Sequence, residues 1–372
     1  MMSEVLLPWF LGLRKALKEQ RRSLAQSDGL EVLVEAEATM LRGGMVSVWM
    51  PISCDKLRLR VKVIMVNSSQ IPYFILTAYF EMGYLKYLYF VIVLMLYIVI
   101  VFANALLIVT ICMNRSLHEP MYVFLCSLLV NQLYGSAGLF PFLLLQITSD
   151  SHTISRSMCF LQIYCIYTYA TVEFCNLAVM SYDRYLAICC PLHYKARLTS
   201  KKVALLIAFV WLYSFIEFLI ILCLNLRLKL CGNVMDRLYC QNYYVTKLAC
   251  FDTTVNNFYG LFAIFLTVCV PLIPILFSYT KILRVCFDGS KETRQKAVST
   301  CTPHIASLIN FSFGCCFEVL QSRFNMTGVP GIMRIVLSLY FLTIQPLFNP
   351  IIYGLRLSKI RQMCRNVVVC NK

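Results

Sequence analysis

An all-α membrane protein, a seven-transmembrane helix bundle with a short amphipathic C-terminal helix, is the fold this sequence predicts. Three observations predict it. Of 372 residues, 59% are hydrophobic and only 14% charged, with a mean hydropathy of +0.71. A typical soluble domain is about half apolar and about a quarter charged, so this chain lacks the polar side chains to cover a soluble globule, and it is too apolar for disorder. Seven runs reach the length a helix needs to cross a bilayer, about 20 apolar residues. Finally, Lys and Arg concentrate in alternate links between those runs, as they do in cytoplasmic loops.

Taken in order, residues 1–65 form an N-terminal extension and 66–86 a short extracellular N-terminus. The seven-helix domain is expected at 87–355, and a cytoplasmic helix and tail at 356–372. Runs 87–114, 120–149, 253–280 and 335–355 hold no Asp, Glu, Lys or Arg. Run 157–182 holds only Glu173, run 203–226 only Glu217 and run 297–322 only Glu318. Continuous runs of this kind suit helices, whereas barrel strands are short and alternating. No fixed-period repeat or pairing of halves occurs, which weighs against a membrane transporter. The links after runs one, three and five, with the tail, carry twice the Lys and Arg of the opposite links. They include Lys195, Arg197, Lys201, Lys202, Lys281, Arg284, Lys291, Arg294 and Lys296. The rule predicts a cytoplasmic C-terminus, and seven crossings then put the N-terminus outside. Residues 1–65 fit this poorly: their apolar start precedes Arg14 and Lys15, the reverse of a signal peptide, and ten basic residues would lie outside. Met65 is therefore read as the start and 1–65 as a gene-model artefact, with a genuine extension as the other reading.

The net charge of +16 belongs to membrane topology, so no nucleic acid is expected as a partner; membrane lipids are. The 19 Cys include no CxxC pair, and neither a metal nor a cofactor is expected. HExxH, GxSxG and P-loop patterns are absent, so an enzyme is not expected. Asp183 and Arg184 close run three at its cytoplasmic end. The carboxylate can hold the guanidinium near the interface, where an unpaired charge is costly, until a docking partner releases it. An ordinary snorkelling arginine is the other reading. Pro141, Pro271 and Pro274 lie within apolar runs, where a missing backbone donor bends a helix.

Met180-Ser181-Tyr182-Asp183-Arg184-Tyr185-Leu186-Ala187-Ile188-Cys189, followed by Pro191-Leu192-His193-Tyr194, resembles the MAYDRYVAICxPLxY signature of olfactory receptors, within the rhodopsin-like G-protein-coupled receptors. Leu117-His118-Glu119-Pro120-Met121-Tyr122 resembles LHxPMY, Lys296 to His304 resembles KAxSTCxxH, and Pro346 to Tyr353 resembles PxxNPxIY. The residues around Pro303-His304 and Gln321-Ser322-Arg323 resemble the fish-type branch more than the mammalian one. The resemblance covers 66 to about 367. It implies an odorant receptor of the plasma membrane that binds a small molecule, volatile or amino-acid-like, and activates a heterotrimeric G protein of the stimulatory olfactory type. A non-olfactory receptor of the same fold is the nearest rival.

The resemblance also implies roles. Asp183, Arg184 and Tyr185 would form the G-protein switch, with Tyr279 and Tyr353 as mobile partners and Asn349-Pro350 as a kink in the last helix. Glu173 would be half of a sodium-binding acid pair, weakened because the other position is Asn131; a hydrogen-bonded, neutral Glu173 is the other reading. Cys159, Cys231, Cys240 and Cys250 face the oxidising side and allow three pairings; the family pattern joins Cys159 to Cys240 and leaves Cys231 with Cys250, with Cys159–Cys250 as the rival. The ligand pocket would lie among Tyr167, Ala170, Thr171, Gly260, Cys315, Val319, Leu342 and Thr343, with Glu318 and Arg323 for a polar or charged odorant; each of these could equally be packing. Asn67-Ser68-Ser69 is an N-glycosylation acceptor. Asn325-Met326-Thr327 is a second match close to the membrane. Cys364 and Cys370 are either palmitoylation sites or free thiols.

Overall fold

A computed structural model describes residues 71–79, 85–323, 331–357 and 359–362. The expectations for residues 1–65, Asn67, Asn325, Cys364 and Cys370, and for the Arg323 side chain, lie outside the described residues. The chain divides into two units, Met1–Pro72 and Tyr73–Lys372, and every helix below belongs to the second.

Among the described residues, seven helices are long and apolar enough to cross a membrane: α1 (Lys86–Met113), α2 (Pro120–Thr148), α3 (Arg156–Cys189), α4 (Ser200–Leu226), α5 (Thr254–Asp288), α6 (Lys291–Arg323) and α7 (Gly331–Arg356). α2 starts with Pro120 in its first turn, where the missing N–H has no helical partner to lose. α3 is capped by Ser155, whose hydroxyl accepts from the Met158 N–H. The apolar runs underestimate α3, α5 and α6. α3 continues to Cys189, α5 to Asp288, and α6 begins at Lys291, because helical hydrogen bonding persists beyond the hydrocarbon. At 34 residues, α3 rises about 50 Å, well over a hydrocarbon core of about 30 Å.

α2 and α3 form the centre, each 67% buried over its most apolar stretch, against 22% for α1 and α5. Phe102, Ile92, Phe209, Leu212, Phe265 and Ile273 are exposed on α1, α4 and α5. An apolar belt of that extent is a liability in water and suits lipid. Between α2 and α3 the backbones approach closely: a Cβ on Gly135 would sit 2.4 Å from the Tyr169 ring, so only glycine fits there. In α7, Pro350 cannot donate to the carbonyl of Pro346; the Asn104 side chain of α1 donates to that carbonyl instead, at 2.9 Å. Helical residues 359–362 follow α7, and Ile360 is buried in the cluster around Leu107, Leu125 and Met180.

One feature lies outside the helical prediction. Strands β1 (Tyr73–Leu76), β2 (Thr153–Ser155) and β3 (Val234–Met235) form a sheet in the order β2-β1-β3. β1 pairs antiparallel with β2, Phe74 opposite Ile154, and parallel with β3, Leu76 opposite Met235. The sheet draws the lead-in, the α2–α3 link and the α4–α5 link together at one end of the bundle.

Candidate functional site

Three polar layers line the bundle axis. The first is the capped end. Cys159, in the first turn of α3, is joined to Cys240 of the α4–α5 link, and Cys231 to Cys250 within that link, with Cα–Cα distances of 5.4 and 5.0 Å. The link, here the cap, is fixed further by Tyr79, which donates to the Leu238 carbonyl at 2.6 Å, and by Gln162, which accepts from the Cys240 N–H at 2.9 Å. Tyr239 and Gln241 flank the bridged Cys240 and both donate to Oε1 of Glu318 on α6, Tyr239 at 2.9 Å. Burial first, then the Glu318 carboxylate, pushes the Tyr239 phenol well above its ordinary pKa, which keeps it a donor. Glu318 thus ties the cap to α6.

The expected pocket residues gather below the cap but not as one set. Thr171 meets Thr267 of α5 at 2.9 Å between their hydroxyls, and Thr267 donates to Glu217 of α4 at 3.4 Å. Tyr167 packs against Phe218 with ring centroids 5.4 Å apart. A Cβ on Gly260 would be nearest the Asn242 amide of the cap. Cys315 is a half-buried free cysteine on α6. Leu342 is buried, while Ala170 and Val319 are half-buried. Thr343 turns back onto the Leu339 carbonyl of its own helix at 2.8 Å, a packing role. Glu217, Thr267, Tyr239 and Gln241 were not singled out for this region; the last two could have been found as neighbours of a bridged cysteine.

The middle layer is centred on Glu173, fully buried on α3. Its carboxylate accepts from four side-chain amides: Asn131 at 2.9 Å, Gln132 at 2.7 and 2.8 Å, Gln345 at 3.1 Å and Asn349 at 2.9 Å. Asn131 also donates to the Tyr169 carbonyl at 3.0 Å, and the orientation of the other three amides is dictated by their other ends. The Gln132 oxygen accepts from Tyr169 OH, the Asn349 oxygen from Ser307 and the Gln345 oxygen from Asn310. Their NH₂ groups therefore point at Glu173. Sodium, a hard cation, takes oxygen ligands; here nitrogen donors stand where a sodium pair of Asn131 and Glu173 would need oxygens. Gln132, next in sequence to Asn131, donates to both carboxylate oxygens.

The third layer closes the opposite end. Arg184 donates through Nε and Nη2 to one oxygen of the buried Asp183, Nε at 2.9 Å, and Tyr194 donates to the other at 2.7 Å. Burial, then the Asp183 carboxylate, raises the Tyr194 pKa, so that hydroxyl stays a donor. Tyr279 reaches His304 of α6 rather than Arg184, its hydroxyl 2.6 Å from Nδ1, while His304 Nε2 lies 2.8 Å from the Leu177 carbonyl of α3. A carbonyl only accepts, so Nε2 carries the proton and Nδ1 accepts from Tyr279. Tyr185 packs edge-on to Phe277, centroids 5.7 Å apart, and Tyr353 is buried in the Leu107 cluster. His304 ends the Lys296–His304 motif, and its contact with an α5 tyrosine is visible only in three dimensions.

Known proteins resemble this chain over the same region. A family model described as olfactory receptor matches residues 93–372. Olfactory receptor 4B13 of Mus musculus is 32% identical over 302 residues, 81% of this chain and 97% of that protein. Olfactory receptor 52D1 of Homo sapiens is 35% identical over 269 residues, 72% of this chain and 84% of that protein. Olfactory receptor 10A6 of Homo sapiens is 34% identical over 298 residues, 80% of this chain and 94% of that protein.

Proposed function

Because this chain belongs to the olfactory receptor family of G-protein-coupled receptors, we propose that it binds a small odorant beneath the cap and opens its Arg184 end to a heterotrimeric G protein of the stimulatory olfactory type. It is a multi-pass plasma-membrane receptor and not an enzyme. The capped end faces outside, where disulfides persist, and the Arg184 end faces the cytoplasm with the excess of Lys and Arg.

The observation that carries the reading is the latch at the base of α3. Asp183 is held by Tyr194 on one oxygen and holds Arg184 on the other. A two-state element of this kind responds to a ligand only through its differential affinity for the two states. Odorant contacts on α3, α5 and α6 supply that difference, and Arg184 is the group set free. A chain starting at Met65, without residues 1–64, should reach the surface and signal like the full one. The test is a screen of volatiles and amino acids in cells co-expressing the olfactory G protein, reading cyclic nucleotide. Arg184→Ala at equal surface level should abolish the response; a full response would remove Arg184 from the switch.

A further inference from the structure

Four cations, Lys195, Arg197, Lys201 and Lys202, fall within eight residues of the α3–α4 link and the first turn of α4, and all four are exposed. No Asp or Glu occurs between Arg184 and Glu217. The two acids whose charges reach the adjoining Tyr194 are taken: Asp183 by Arg184 and by Tyr194 itself, Glu119 by Lys359 at 2.8 Å. None of the four cations is in an ion pair among the described residues. The α5–α6 link differs. There Asp288 and Glu292 alternate with Arg284, Lys291 and Arg294, and Arg294 Nε donates to the Cys286 carbonyl.

The backbone that carries the four cations is pinned. Leu198 and Val203 are buried in the cluster around Leu107, Leu125 and Met180, and Tyr194 packs against it. Like charges held this close repel one another and oppose the compact arrangement that displays them, unless a polyanion neutralises them. α4 shows where that anion comes from. Leu205, Phe209, Leu212 and Ile216 form an exposed apolar stripe along it, the kind of surface that suits lipid. Lys201 stands four residues before Leu205 and Lys202 seven before Phe209, so both head the same face. Lys202 lies only about 4.5 Å along the axis from Leu205. The stripe therefore ends in two ammonium groups at the depth of the lipid headgroups, where long basic side chains hold their charge. Clusters of four or more Lys and Arg at the cytoplasmic edge of a span recognise anionic lipid. A phosphomonoester carries about −1.5 to −2 charges, so two on one inositol ring match the four cations, whereas singly charged lipids would have to crowd around the site. We propose that Lys195, Arg197, Lys201 and Lys202 form a binding site for an inositol phospholipid with two or more ring phosphates, its headgroup on the four cations and its acyl chains along Leu205 and Phe209. This rests on the reading that the Arg184 end faces the cytoplasm, whose leaflet holds the anionic lipids.

The experiment titrates full-length receptor in neutral detergent with dioctanoyl phosphatidylinositol bisphosphate, dioctanoyl phosphatidylserine and free inositol trisphosphate, reading binding by native mass spectrometry. The phosphoinositide should bind tightest. The other two should be weaker by at least about 10-fold, the serine lipid for want of charge and the free headgroup for want of acyl chains. Lys195→Gln with Arg197→Gln, and separately Lys201→Gln with Lys202→Gln, should each weaken the phosphoinositide by about 30-fold. Arg284→Gln with Lys291→Gln, which removes as many cations from the α5–α6 link, should weaken it by less than about 3-fold. Should a patch variant fail to reach the membrane, the affinity ratios among the three ligands on the unaltered receptor decide. An equal loss in the α5–α6 variant overturns the site, because attraction then follows net charge alone. Equal affinity for the serine lipid overturns the ligand class, and equal affinity for the free headgroup overturns the lipid as its source. Patch variants that bind the phosphoinositide normally but fail to activate the G protein assign the patch to the G protein and overturn the proposal. Orientation is read apart from binding. Antibody reaching a C-terminal tag on intact cells overturns the cytoplasmic reading and the proposal with it; a tag reached only after permeabilisation, with equal affinities for all three ligands, overturns the proposal alone.

Discussion

At the capped end, two disulfides, a three-stranded sheet and the Tyr79–Leu238 hydrogen bond hold the links between helices. At the Arg184 end, the corresponding ties are single side-chain contacts: Arg184 and Tyr194 on Asp183, Tyr279 on His304, and the exposed Lys359–Glu119 pair. Covalent bridges and a sheet do not break on the timescale of signalling; an ion pair beside a tyrosine does. The contrast teaches which end is built to hold a shape and which to change one. A fixed cap presents its polar groups to a ligand in one geometry, so binding loses little to reorganisation. A lightly tied base lets a modest differential affinity shift the population.

The largest effect expected from breaking this contrast is loss of the Cys159–Cys240 bridge. Its cysteines are 81 residues apart, against 19 for Cys231–Cys250. Chain entropy alone makes the longer closure worth about 4.5 kcal/mol and the shorter about 3 kcal/mol. Cys159→Ser and Cys240→Ser should both lose surface expression, the double mutant should be no worse, and Cys231→Ser should be milder. Surface labelling measures this; a greater loss from Cys231→Ser would reverse the ranking.

Next comes the middle layer, which joins the two ends. Glu173→Ala strips the acceptor from four amides, each left with a penalty of about 1–3 kcal/mol if it finds no other partner. Thermal midpoints of purified receptor should fall for Glu173→Ala more than for any single amide substitution. Because donors rather than oxygens surround the carboxylate, replacing sodium by choline should leave agonist potency unchanged. A potency shift on that replacement would restore the sodium pair.

At the base, Asp183→Asn and Tyr194→Phe should both raise basal cyclic nucleotide, the first more than the second, since Tyr194 contributes one hydrogen bond of about 1 kcal/mol. A coupling free energy of about 1–3 kcal/mol is typical of such switches, so agonist affinity should change by no more than that. Equal basal activity in unaltered receptor and Asp183→Asn would show that Arg184 is not restrained by its neighbour.

The helical runs were legible because a membrane span must be apolar along its whole length, a signal that depends on no partner. The sheet was not. Strands of four, three and two residues carry too little alternation to register, and they pair only because the cap and two links converge. Asp183 and Arg184 were legible as an adjacent pair of opposite charge, whereas Tyr194, eleven residues on, entered only as part of a motif. Asn131 was legible as the neighbour of Glu173, whereas Gln132 reaches the same carboxylate only through the close packing of α2 and α3 at Gly135. Glu318 was legible as a lone acid, but its partners Tyr239 and Gln241 come from a loop whose path is set by a disulfide.

The smallest expected effect separates the two ends by pH. His152, in the α2–α3 link at the capped end, stacks on Tyr79 with centroids 5.1 Å apart, and its Nδ1 lies 3.1 Å from the Gln146 carbonyl. Burial lowers its pKa below the ordinary 6.5 against the opposing pull of that carbonyl. The folded state therefore holds a neutral ring that donates to Gln146, while the unfolded chain binds a proton more readily. Stability from this group is present above the unfolded pKa and is lost as pH falls from about 6.5 toward the lower folded value. At the base, Tyr194 is shifted upward from 10.0, so it changes charge only in strong alkali and contributes no slope between pH 5 and 8. The contribution of His152 to the thermal midpoint should thus decline slightly from pH 7.5 to 5.5. The decline should flatten in His152→Gln, and Tyr194→Phe should keep the original slope at a lower midpoint. The ring is partly exposed, so solvent screens the effect and the shift is small. An unchanged slope in His152→Gln would mean that the acid sensitivity of the receptor originates elsewhere than in the cap.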